Sequence, residues 1–325
     1  MATSGSWDYS LTAAQIIAAA YEDLGVYLPG GTVSSVDSVM ALSRLNMLAK
    51  QYQGTSDGAP GIKIHTRQRI ALFFAKGQQT YSIGPASTDA MATTQFGRTT
   101  LSAAEAAGQT VLSITSNTDT TAYPGTTVTM TNGDNIGITL DDGTIQWTTI
   151  SGTPSTTATV AVALSSAAAS GNYVYWFTSR AQRFPVLESA VLRDSGYKDS
   201  PLDVYQDARQ YDLGVASKFS DGTPTSLLFE PVRLSSRITF DSQPTDLSKF
   251  IVLTVLYPAE DYDATTNDIA FPQEALRFLS WELAFTLAPS VGRWTPEMEK
   301  NRQEARSMYL GLNPENSVLY FQCDA

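Results

Sequence analysis

The sequence predicts an α+β protein: a helical core carrying β-hairpins, with an all-β domain of sandwich or barrel-like form inserted into it. Three observations predict this. Apolar residues recur with a helical period near both ends of the chain. Between those ends the pattern changes to short β-type runs bounded by turn residues. One long stretch, 99–179, holds no Lys or Arg although the chain has 21.

The elements follow in chain order. Residues 11–24 predict a helix, because Ile17, Ala20, Tyr21 and Leu24 form one stripe and Gly25 stands where a C-terminal cap belongs. Residues 36–53 predict a second helix. Ser35 is its N-cap, Ala41, Leu45, Leu48 and Tyr52 share a face, and Gly54 stops it. The Pro29-Gly30-Gly31 turn makes the two an antiparallel pair. A hairpin follows, with strands at 68–74 and 79–83 around Ala75-Lys76-Gly77.

In the Thr-rich stretch, strands are expected at 111–115, 126–130, 136–140, 145–150, 157–162 and 173–177. The turns between them are Tyr123-Pro124-Gly125, Asn132-Gly133-Asp134, Asp141-Asp142-Gly143 and Ser170-Gly171-Asn172. Its acids are Glu105, Asp119, Asp134, Asp141 and Asp142, and Arg98 and Arg180 bracket it. Such spacing predicts a small sandwich or barrel that folds by itself.

Beyond it, 183–193 is extended or irregular, a short helix lies near 203–213, and strands lie at 227–229, 237–240 and 250–257. The last strand is apolar on both faces and belongs in the middle of a sheet. A helix then starts with Pro272 at N1. Leu276, Leu279, Leu283 and Leu287 line one face, Ala275, Phe278, Trp281 and Phe285 another, so it is buried between partners until Ala288-Pro289-Ser290 ends it. The final helix starts at Thr295-Pro296. Glu297 and Glu299 precede Lys300, Arg302 and Arg306, an order that suits the helix dipole, and Gly311 caps it. The predicted domains are 1–98 and 180–312 for the helical core, 99–179 for the insert, and 313–325 for an extended arm released by Asn313-Pro314.

Charged residues are 16% of the chain, below the usual quarter, and the net charge is −11. That balance argues against a tight grip on DNA, which needs cations to displace counterions. It suits a channel wall along which DNA slides. Cys323 is the single cysteine, so no disulfide forms within the chain. Cys323 and the single histidine, His65, are too few soft ligands for a structural zinc site. Neither a signal peptide nor a membrane-length apolar run is seen, which predicts synthesis in the cytosol.

Catalytic constellations are weak. Only His65 could serve as the base of a triad, and it stands among apolar residues beside a hairpin. The carboxylate pairs Glu22/Asp23, Asp141/Asp142 and Glu260/Asp261 could run a glycosidase. Each is explained more simply, as a helix end, a hairpin turn and a strand end. Calcium-loop spacing, a Walker lysine motif and a dinucleotide fingerprint are absent, so neither metal nor cofactor is expected. Val318, Leu319, Tyr320 and Phe321 are the candidate interface. Four apolar residues beyond a last helix either fold back or clasp another subunit.

Four stretches together carry a family likeness. They are Tyr9-Ser10-Leu11-Thr12-Ala13, the segment 41–52, Gly222-Thr223-Pro224-Thr225 with Phe229-Glu230-Pro231, and Asp268-Ile269-Ala270-Phe271-Pro272-Gln273-Glu274 continuing to Leu287-Ala288-Pro289. In order and spacing the chain resembles the tail accessory (head-to-tail adaptor) proteins of short-tailed phages. It departs from their pattern in having Gln51-Tyr52 where a tryptophan is common. The resemblance implies a structural virion protein, not an enzyme. Such a protein forms a ring, commonly twelvefold, that closes the DNA exit below the portal. It also implies the portal, neighbouring copies, and a distal tail nozzle or fibre as partners, DNA passing through the lumen without tight binding, no membrane partner, and a place in the neck of the virion after assembly in the host cytoplasm. The 99–179 insert looks like a β-module of some relatives. The competing reading is a tail-associated cell-wall glycosidase. A host-surface binding module would show repeats, and none is seen.

Overall fold

The computed structural model describes residues 9–312 apart from 54–65, 85, 86, 88, 90, 94, 123, 124, 195, 217, 219, 258 and 259. It divides into two compact units, Met1–His65 with Pro258–Ala325, and Thr66–Tyr257.

The expected helical core with an inserted β domain is overturned. The chain is mostly β, with five α-helices among the described residues and a barrel-like sheet of eight strands. The runs on either side of the Thr-rich stretch do not decorate helices. They pair with one another, and pairing across so much sequence leaves no mark in local periodicity.

In the first unit, α1 (Ala13–Asp23) begins at Thr12, whose side chain accepts from the Gln15 N–H while Gln15 reaches back to the Thr12 N–H at 2.9 Å. For α2 (Ser35–Gln53) the cap is Ser34, one residue before the expected Ser35: its Oγ accepts from the Asp37 N–H and donates to the Asp37 carboxylate.

The helix α3 belongs to the second unit. A single 3₁₀ turn, Gln273–Ala275, leads into α4 (Leu276–Val291). That helix runs past the predicted stop with Pro289 inside its last turn, and ends at Gly292, whose φ of 70° only glycine adopts without cost. Last comes α5 (Pro296–Leu312). α4 is buried on nearly all sides and packs on α1, α2 and α5, so both ends of the described chain share one apolar core.

The second unit opens with β1 (Thr66–Phe73), β2 (Thr80–Ile83) and β3 (Met91–Ala92). The Thr-rich module holds β4 (Gly97–Thr100), β5 (Val111–Ser113), β6 (Thr118–Ala122), β7 (Thr126–Thr129), β8 (Asn135–Thr139), β9 (Ile145–Thr149), β10 (Thr157–Thr159) and β11 (Tyr173–Phe177). After it come β12 (Val186–Arg193), β13 (Asp199–Tyr205), α3 (Ala208–Gly214), β14 (Ser220–Gly222), β15 (Ser226–Pro231), β16 (Ser236–Phe240), β17 (Ser242–Pro244) and β18 (Phe250–Tyr257). The helix expected near 203–213 is thus a strand followed by a shorter helix, α3, capped by Asp207.

The large sheet runs β2-β16-β15-β13-β12-β18-β1-β3. Every pairing in it is antiparallel except β13 with β15, which α3 connects as a crossover. β18 lies between β1 and β12, as its two apolar faces require. Alternate residues serve two cores. Ile251, Leu253 and Val255, with Ile70 and Leu72, face one cluster; Phe250 and Val252, with Ala71 and Phe73, face another.

The module has its own core of Leu112, Ile136, Ile138, Val174 and Trp176, between the sheet β4-β11-β8-β9 and the short pairs β5–β10 and β6–β7. It is also continuous with the large sheet. Tyr175 and Phe177 of β11, with Trp147 of β9 beside them, pack on Phe73 and Phe250.

Candidate functional site

The most constructed polar centre lies in the helical unit. α4 turns Glu282 inward, 1% exposed, against the end of α2 and the middle of α5. An isolated carboxylate at such a place would be neutral or very costly. Here Arg302 of α5 donates to it through Nε and Nη2 at 3.0 and 2.9 Å, and the Tyr52 hydroxyl donates at 2.6 Å. Burial and the Glu282 carboxylate push the Tyr52 phenol well above its usual range. Arg302 also lies over the Phe285 ring at 3.8 Å and contacts Glu299. The sequence places Arg302 after Glu297 and Glu299, in an order that suits the helix dipole. The structure turns it into an internal clamp. Its residue type and place after Glu299 gave no sign of this, because the partner is on another helix.

Two further contacts bind the distant halves of this unit. The Asn46 side chain pairs with the backbone of Tyr262 in both directions, at 2.8 Å each. Thr12 bridges to Asp268, and the Ala13 and Ala14 N–H groups reach Asn267 and Thr265. The arrangement orders helices. It offers no open reacting position.

Members of each candidate carboxylate pair are held in structural contacts. Glu22 accepts from the Gly30 N–H and Asp23 from the Ser280 hydroxyl, and burial holds the Asp23 carboxyl above its ordinary value. Asp141 accepts from Ala169 N–H and the Asn172 side chain, while Asp142 closes its turn onto Thr144. Asp261 pairs with Lys50 at 2.7 Å. Within the module, Glu105, Asp119 and Asp134 are buried and accept from backbone N–H groups of Ser113, Arg98 and Thr131. The module's exposed acids are therefore Asp141 and Asp142, both in one turn, and the rest of its surface is neutral.

His65, Cys323 and the candidate interface Val318, Leu319, Tyr320 and Phe321 lie outside the described residues. Among the described residues no group of three or more His, Cys, Asp or Glu is placed to hold a metal, and no helix is long and apolar enough to cross a membrane. An open groove of about 460 Å³ in the β unit is polar, lined by Asp203, Tyr205, Asp221, Thr223 and Asp241. Asp241 is engaged by the Thr225 N–H and hydroxyl.

One surface was missed from sequence. Val36, Val39 and Met47 project from α2 into solvent, and Leu28 does so in the preceding loop. The spacing of Val36, Met40 and Met47 is its sequence signal, and it shares the helix with the stronger buried stripe. No protein-family model matches the chain, and no curated protein matches it.

Proposed function

We propose that the protein is a structural subunit of the head-to-tail adaptor ring of a short-tailed phage, seated below the portal, closing the DNA exit and carrying the distal tail. One observation supports this reading above others. Three of the four stretches that resemble such adaptors, 9–13, 41–52 and 268–289, come from opposite ends of the chain and close on one another in a single helical unit. Thr12 bridges Asp268, and Tyr52 bonds Glu282. Residues that match a family only by order and spacing would not need to meet; here they form one core.

The surface is consistent with assembly. It is low in charge, acidic overall, and carries apolar side chains on α2. A subunit that adjoins identical copies head to tail makes the heterologous contacts from which rings close. The test is imaging of the particle that contains this chain, with the purified portal as the binding partner in solution. The expected result is a ring of copies at the portal's exit. Copies confined to fibres or to a cell-wall-degrading tail tip, with turnover of peptidoglycan by the purified chain, would overturn the proposal.

A further inference from the structure

α2 carries exposed apolar side chains that the described residues of its unit leave uncovered. Val36 is 77% exposed, Val39 70% and Met47 64%. Positions 36, 40, 43 and 47 step by four, three and four, the spacing along which a helix meets a partner; Met40 among them is half-buried against the unit's own core and Ser43 is polar, so the exposed apolar area comes from Val36, Val39 and Met47. The opposite face, with Ala41, Leu45 and Leu48, is in the core. Single exposed apolar residues are ordinary on a protein surface; a row of them on one helix marks a contact. Among the described residues nothing covers the side chains of Val36, Val39 and Met47.

The chain itself supplies a segment of the right chemistry. Residues 313–325 follow α5 and lie outside the described residues. They include Val318, Leu319, Tyr320 and Phe321, flanked by Glu315 and Asp324. Four extended residues span about 13 Å at roughly 3.3 Å each. The row from 36 to 47 spans about 16 Å along a helix. The lengths match. The charges match as well: the exposed cation beside the row is Arg44, and both charged side chains of the segment are acidic.

We infer that residues 318–321 of one copy seat on the 36–47 row of a second copy. The contact joins unlike surfaces, so each copy offers one 318–321 segment and one row, and the chain of contacts closes into a ring or continues. It deepens the adaptor reading and rests on that reading's claim that copies adjoin.

Cys323 is the sole cysteine of the 325 residues, two positions past Phe321, so a maleimide–benzophenone probe is placed there without substitution. Irradiation is expected to give covalent multimers whose yield rises with protein concentration, with the cross-link mapped to residues 36–47. Val36→Asp with Val39→Asp lowers that yield about tenfold or more, the effect of losing roughly 1.4 kcal/mol of contact. Leu319→Asp with Phe321→Asp does the same from the other side, and both variants keep the melting temperature of the parent. Cross-links confined to single chains, cross-links to other segments, or a yield that neither pair lowers would overturn the inference. A ring on the portal in which Cys323 cross-links elsewhere leaves the adaptor reading standing and removes this contact. Cross-linking to α2 by a chain that never joins a portal does the reverse.

Discussion

Glu282 shows how much one residue can demand. Its charge is buried, and its stability depends on Arg302 and Tyr52 together. Arg302→Met leaves the carboxylate with one donor, and an uncompensated buried charge costs about 3–5 kcal/mol. Urea unfolding followed by helical circular dichroism should show that loss, and the double variant Glu282→Met, Arg302→Met should lose less than Arg302→Met alone. Asp199 acts through pH instead. Hydrogen bonds from the Arg193 guanidinium, at 2.6 and 2.7 Å, hold its carboxyl below the ordinary carboxylate value. A depressed carboxyl contributes stability that is present above its unfolded value, about 3.9, and is lost as pH falls through the folded value. Asp23, raised by burial, has the opposite sign: its cost is lifted as pH falls. Melting temperatures below about pH 4 should therefore decline less steeply in Asp199→Asn than in the parent, and an unchanged slope would remove Asp199 from the acid sensitivity.

At the scale of elements, β4 and β11 are held by a glycine facing a tryptophan. Gly97 pairs with Trp176, and a Cβ at position 97 would lie 2.0 Å from the indole, which is fully buried. Gly97→Ala is expected to destabilise the module by about 3 kcal/mol or more, the upper range for overpacking a rigid core, read as a lower midpoint in tryptophan fluorescence. Adding Trp176→Leu should recover part of it. The demand on Gly97 was not legible in the sequence, because the need for a bare Cα comes from the partner strand. The helices were better announced. α1, α2 and α4 each have an apolar period and end signals in their own residues, α5 has end signals and a charge order, and the structure moves those ends by only a few positions. The helix expected near 203–213 took in the end of β13. The strand's pairing with β12 across a short connection and, in parallel, with β15 decides its state, and the parallel partner lies beyond α3 in the chain.

For the whole molecule, the sequence led to the wrong host. Helices near both ends implied a helical body, yet residues 66–257 build a unit of strands with the Thr-rich module packed within it. The sequence did show that module's composition and most of its strands. It could not show that Phe73, Phe250 and Val252 would share a core with Tyr175 and Phe177. Deletion of 99–179 therefore uncovers aromatic surface on β1 and β18, and the shortened chain is expected to aggregate or bind a hydrophobic dye. A soluble, cooperatively melting product would show that the large sheet closes without the module. The polar centre was the least legible part, since Glu282, Arg302 and Tyr52 each look like ordinary helix residues until three helices bring them together.

The run without Lys or Arg also determines how the molecule meets a protease. Trypsin has no cleavage point between Arg98 and Arg180. Those two sites are themselves restrained. Arg98 lies over the Tyr173 and Tyr197 rings, and Arg180 donates to Asn135 and to the Asp89 carbonyl. Digestion of the native chain should leave the module attached to the large sheet long after exposed sites have been cut. Once unfolded, the same stretch should appear as one long peptide, residues 99–180, and amine-reactive labels should find nothing in it to modify.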